Sequence, residues 1–177
     1  GSEMCIRDSM YAKRLKAYKQ IGYELACGLQ IGKQTVNAIY DWDNYSTYYH
    51  KDLLGANNNI IISSPVISGP KVYELINLLK EKQMSGVQIT IVTWAPDSYR
   101  FGDAAYWMQL HEDMRQAGFY IKTVEESCER FAVIDQEVVW YGNINLLAKD
   151  KVDDSIMRVM SKEIASELME ITFGDNG

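Results

Sequence analysis

Residues 128–145 read Cys-Glu-Arg-Phe-Ala-Val-Ile-Asp-Gln-Glu-Val-Val-Trp-Tyr-Gly-Asn-Ile-Asn. Two apolar runs, Arg130 to Ile134 and Val138 to Tyr141, flank Asp135-Gln136-Glu137. Their β-branched and aromatic residues suit strands, and the short polar link reads as a tight reversal. The stretch therefore predicts a β-hairpin. Cys128 and Arg130 stand two apart, so an extended strand points both side chains to one face. Asp135 lies beyond that strand, where a turn can carry it back toward the same rim. After the second strand, Gly142 permits a close backbone approach. Asn143 and Asn145 bring amides to the strand end. An arginine, two amides and backbone N–H groups make a phosphate seat. Each residue also has an ordinary reading. Cys128 fits a small core side chain, Arg130 a strand surface, Asp135 a hairpin corner, and Gly142-Asn143 a turn.

Upstream, Ile60-Ile-Ile62 is a short β-branched run that suits a strand covered on both faces. Ser63-Ser64-Pro65 ends it. Pro70 opens a helix in which Val72, Leu75, Ile76 and Leu79 recur at helical spacing up to Gly86. Val87 to Val92 is the next strand. A strand, helix, strand unit with short links predicts two parallel strands. A helix over Ser46 to Ala56 precedes the unit, with Tyr49, Leu53 and Ala56 inward. Asp103 to Gln116 forms another helix with Trp107, Leu110 and Met114 inward, and Gly118 stops it. His111 reads as a surface or boundary residue. Phe119 to Val124 and Ile156 to Met160 are further strands. Ser161 caps a last helix whose inner face is Ile164, Leu168 and Ile171. The expected architecture is α/β: a mixed, mainly parallel sheet flanked by helices.

The start of the chain is less legible. Gly1-Ser2 reads as a tag scar, and residues 1–9 as an unstructured leader. Residues 10–44 form an N-terminal extension, helical or mixed, in which Gln34 to Tyr40 suits strand or helix. It includes a basic block from Tyr11 to Gln20. Residues 45–173 make the α/β domain.

Composition bounds the function. The chain has 177 residues, 47 % of them hydrophobic, and a formal net charge of −6. This is a globular composition with one domain's worth of core. No apolar run is long enough to span a membrane. The acidic balance disfavours a generic backbone-binding surface but leaves room for a local basic pocket. The 3 cysteines, Cys5, Cys27 and Cys128, are scattered, which points to a reducing compartment and a cytoplasmic location. His50 and His111 have no zinc-binding spacing. Neither a dinucleotide fingerprint nor a phosphate loop is present. Neither a metal nor another cofactor is expected.

The spacing in 128–145 resembles the phospholipase D-like superfamily, whose signature is His-x-Lys-x-x-x-x-Asp followed by a Gly-Ser/Gly-x-Asn turn. Cys128 falls on the histidine, Arg130 on the lysine and Asp135 on the aspartate. Gly142, Asn143 and Asn145 fall on the turn. The strands around the motif and the unit over residues 52–92 are similar too, so the likeness spans about residues 45–173. His50-Lys51-Asp52 contains the same residue types without the gaps, and His50 reads as a surface residue.

In active members the histidine attacks phosphorus, a second motif's histidine protonates the leaving group, and the lysines and asparagines hold phosphate oxygens. The resemblance thus implies Cys128, Arg130 and Asp135 as catalytic positions and Arg130, Asn143 and Asn145 as phosphate contacts. With cysteine at 128, the reading is a catalytically degenerate phosphodiesterase-like domain that binds nucleic acid, such as DNA, or another phosphate-bearing partner. Two alternatives stand beside it. One is an active, metal-independent nuclease or phosphodiesterase with substituted residues. The other is a structural interaction domain of a larger DNA-processing protein, using Tyr45, Tyr48 and Tyr49 as an apolar patch. Family logic also implies a twofold homodimer or a neighbouring helicase or nuclease domain, with no membrane partner.

Overall fold

The computed structural model describes residues 37–98, 102–149 and 151–174. The expected leader, the basic block, Cys5, Cys27 and most of the N-terminal extension lie outside the described residues. Seven strands form one sheet: β1 Ala38–Asp41, β2 Asn59–Ser63, β3 Gln88–Trp94, β4 Tyr120–Val124, β5 Phe131–Ile134, β6 Val138–Gly142 and β7 Ser155–Met160. The helices are α1 Tyr45–Leu54, α2 Gly69–Met84, α3 Ala104–Gln116 and α4 Lys162–Phe173. The sheet runs β1-β7-β6-β5-β2-β3-β4. It therefore reaches back to Ala38, ahead of position 45.

The expected parallel unit forms: β2 pairs with β3, and β3 with β4, in parallel. The other four pairings are antiparallel, so the sheet is mainly antiparallel, not mainly parallel. The reason lies in the connections. Helices α2 and α3 return the chain to the start of the sheet and give parallel neighbours. The later links reverse it. At Ile134–Glu137 the Glu137 N–H donates to the Ile134 carbonyl at 3.1 Å, and Asp135 and Gln136 have φ of 54° and 56°. Two positive φ values in succession are what a type I′ hairpin turn requires.

Helices α1, α2 and α3 cover one face of the sheet. Tyr45, Tyr49, Leu53, Val72, Leu79 and Met114 pack there with Ile60, Ile62 and Trp140. Tyr45 and Tyr49 are therefore core residues, while Tyr48 is exposed. Among the described residues helix α4 covers the other face, where Ala165 and Leu168 meet Ile61, Phe131, Val133 and Val159. Its buried stripe is Ala165 and Leu168. Ile164 and Ile171 stay exposed. The Ser161 hydroxyl does cap it, accepting from the Ile164 N–H at 3.2 Å.

His111 departs from expectation. It is 1 % exposed, and neither ring nitrogen has a hydrogen-bond partner. Burial, then the Arg115 charge, holds its pKa below the usual 6.5. Burial likewise lowers that of His50, whose Nε2 lies 3.3 Å from Glu74. A depressed folded pKa means that the unfolded chain takes up the proton first. The stability is therefore fully present above pH 6.5 and is lost as pH falls through the folded values. His111→Leu should raise stability at neutral pH by about 1 kcal/mol, because the buried polar atoms go. It should also flatten the loss between neutral pH and about pH 5. Urea midpoints of both chains across that range check this. An unchanged acid slope in the variant would show that His111 does not carry it.

Candidate functional site

The motif's position follows from one crossing. Strand β4 is an edge strand, but the next strand, β5, pairs with β2. The link, residues 125–130, must pass the ends of β3 and β2, about 14 Å at ordinary strand spacing. Its contacts trace that path. The Trp94 Nε1–H donates to the Glu126 carbonyl at 3.3 Å, and the Cys128 thiol lies 3.9 Å from the Val92 carbonyl oxygen. The Ser63 hydroxyl donates to the Glu129 carbonyl at 2.5 Å. The link thus lies along the carboxyl ends of the parallel strands, where open α/β sheets bind ligands.

Crossing the strand ends changes where the side chains go. Strand alternation does not govern residues 128 and 130, because residues 127–130 are irregular. Cys128 is half-buried against the α4 side, with its sulfur 3.4 Å from Ser63 Oγ. Arg130 Nε donates to Asn145 Oδ1 at 3.1 Å. Asn145 itself sits between Ile144 and Leu146, which are buried in the three-helix core. Arg130 stays within electrostatic reach of the Cys128 thiol, so the two share the rim without sharing a regular strand face.

The thiol's chemistry follows from this setting. Burial pushes the Cys128 thiol up, and the Ser63 hydrogen bond and the Arg130 charge only partly offset it. At neutral pH the group is a protonated thiol, not the thiolate that attacks.

The loop carrying the two asparagines is fixed from several sides. The Leu147 N–H donates to Ser64 Oγ at 3.2 Å, and the Ser68 N–H to the Leu147 carbonyl at 2.7 Å. At Gly142 a Cβ would lie 2.7 Å from the Ile156 Cα, so β6 and β7 approach each other there as only glycine allows. Asn143 follows with an exposed side chain.

The structure does not bring Asp135 to the rim. It lies at the other end of β5, five residues from Arg130, or about 17 Å at the ordinary strand rise. Its carboxylate accepts the N–H groups of Asn57, Asn58 and Asn59, at 2.7 to 3.1 Å. The aspartate thus ties the start of β2 to the hairpin.

Two rim residues escaped the sequence reading. Ser63, counted only as a strand end, touches Cys128 and Glu129. Its signal was two hydroxyls at the carboxyl end of the first parallel strand. Glu129, unremarked inside the motif, accepts from the Tyr141 hydroxyl at 2.8 Å and places a negative charge on the rim. That bond raises the Tyr141 pKa. Among the described residues no group of three or more His, Cys, Asp or Glu is arranged to hold a metal ion. No helix among them is long and apolar enough to cross a membrane.

No curated protein matches the chain. Solved structures share its fold at low identity. NucT from Helicobacter pylori superposes with a TM-score of 0.59 at 10 % identity, over 77 % of this chain and 92 % of that one. TrmBL2, an archaeal chromatin protein whose structure is described as showing a novel mode of DNA binding, gives 0.56 at 12 % identity, over 96 % and 62 %. Phosphatidylserine synthase from Haemophilus influenzae Rd KW20 gives 0.54 at 11 % identity, over 83 % and 42 %. The profile described as "Cardiolipin synthase, PLD-like domain" matches residues 49–172, well over half of the sequence. The chain therefore belongs to the phospholipase D-like domain family.

Proposed function

We propose that this domain binds a phosphodiester-bearing partner, nucleic acid foremost, at the Arg130–Asn145 rim, and that it has lost the family's hydrolytic chemistry. The observation that carries this is the contrast between two neighbouring positions. Position 128 holds a partly buried thiol kept protonated, a poor nucleophile. Position 130 holds a guanidinium oriented through Nε by Asn145. That bond leaves the other guanidinium nitrogens to meet phosphate oxygens. DNA binding by the structurally similar chromatin protein agrees with a nucleic-acid partner. Glu129 and the net charge of −6 oppose anions, so binding is expected to be weak and salt-sensitive.

A fluorescein-labelled single-stranded DNA, titrated at several salt concentrations, tests the reading. Arg130→Ala should weaken binding several-fold and reduce the salt slope by about one. The same strand incubated with chelator should remain intact. Cleavage that persists with chelator and disappears in Cys128→Ser would establish the active alternative. Binding indifferent to Arg130 and to salt would overturn the phosphate reading and leave the interaction domain.

A further inference from the structure

The two faces of the sheet are covered unequally. Helices α1, α2 and α3 lie on one, and among the described residues α4 lies on the other. Helix α4 crosses obliquely. It starts directly after β7 and ends near β4, where Lys122 Nζ donates to the Thr172 carbonyl oxygen. A groove is left beside it over β1, β7 and β6. Two hollows of about 300 and 200 Å³ make up the groove and share Tyr141 and Met157. Ile39 stands on its β1 side, and Ile164 and Ile171 wall it on the α4 side. Ile164 is 40 % exposed and Ile171 66 %, so apolar surface faces water along the groove. At about 100° per residue, Glu163, Glu167 and Glu170 all fall on the flank of α4 beyond these two isoleucines. Lys162 falls on the opposite flank. The groove thus has an apolar floor and an acidic lip.

We infer that residues 11–25 of this chain fill the groove, with their apolar row on its floor and their basic side chains against its acidic lip. Three observations select this occupant. The first is where the chain enters the sheet. Asn37 is buried, and its Oδ1 accepts the Met160 N–H at 3.0 Å. Met160 is the last residue of β7, so the chain before Asn37 arrives at the head of α4. Residues 26–36 reach about 35 Å when extended, ample for a groove whose Ile39 stands two positions past Asn37. The second is charge. Lys13, Arg14, Lys16 and Lys19 face one acid in the segment, Glu24. Among the described residues, Glu163, Glu167 and Glu170 make no ion pair. The third is pattern. Tyr11, Leu15, Tyr18 and Leu25 recur at helical spacing. A helix over residues 11–25 measures about 22 Å, against about 18 Å for α4, so the two match in length. A second copy or a separate partner would need the same basic and apolar surface. The tethered segment outcompetes either through its effective concentration. The inference is independent of the phosphate reading of the rim.

Hydrogen exchange of the full chain, read by mass spectrometry on peptides that cover residues 11–25, tests this. Those amides should be protected, and Ile171→Asp should cut the protection about tenfold by placing a charge under the segment. Replacing Glu163, Glu167 and Glu170 together by glutamine should cut it several-fold, and so should added salt. Met84→Asp, at an exposed position on α2, should leave it unchanged. Ile171 is itself exposed, so its substitution spares the core, and exchange in β2 and β5 should stay as in the parent chain. Amides of residues 11–25 that exchange as fast as those of a free peptide overturn the inference. Protection indifferent to both Ile171→Asp and the triple substitution overturns it too. Protection that disappears on dilution also overturns it, and gives the groove to the segment of a second copy.

Discussion

Asp52→Ala should lower the unfolding free energy by about 3–5 kcal/mol, the cost of breaking a buried ion pair from one side. Arg158 grips the Asp52 carboxylate with two bonds, Nε to Oδ2 at 2.6 Å and Nη2 to Oδ1 at 3.0 Å. The Trp140 Nε1–H donates to the same Oδ2 at 2.8 Å. The side chains of Arg158 and Asp52 are only 13 % and 16 % exposed, so water screens the pair little. Removing the carboxylate strips Arg158 of its bidentate partner and leaves a buried indole N–H without its acceptor. Urea unfolding should show a lower midpoint with an unchanged slope. The double variant Asp52→Ala with Arg158→Met should be more stable than Asp52→Ala alone, because the charge that lost its bidentate carboxylate goes too. A double variant no more stable than the single one would mean that packing, not charge, sets the cost.

Asp135→Ala should cost about 2–4 kcal/mol, since three N–H groups lose a charged acceptor. Asp135 also has a φ of 54°, which alanine tolerates less well. Asp135→Asn keeps both the turn preference and one acceptor oxygen, and should recover much of the loss. Binding to the oligonucleotide should be unaffected in the folded fraction of either variant, because Asp135 lies at the end of the sheet away from Arg130. A selective loss of binding with unchanged stability would instead make Asp135 part of the site.

These two expectations mark where sequence reading works. The hairpin, the parallel unit and the cap at Ser161 are legible because each is written in a few adjacent residues. The family is legible because its motif is a fixed spacing. Asp52 was read only within His50-Lys51-Asp52, because its partner Arg158 is 106 positions away. His111 looked like a surface residue because polarity, not position on the helix, is what the sequence displays. Trp107 and Leu110 marked the right side of α3, yet the buried stripe also took in His111.

By itself the sequence determined the elements from α1 onward, the family resemblance and the substitution of a thiol for the family's nucleophile, while β1 stayed open between strand and helix. Local periodicity and residue identity are enough for these. The tertiary structure decided that the sheet is mainly antiparallel, that Asp135 fastens β2 rather than joining the rim, and that residues 127–130 cross the strand ends without strand alternation. All three follow from one long-range choice. The chain leaves edge strand β4 and inserts β5 beside β2, where apolar strands are covered on both faces. That choice is made by burial summed over the whole sheet, and no short stretch of residues records it.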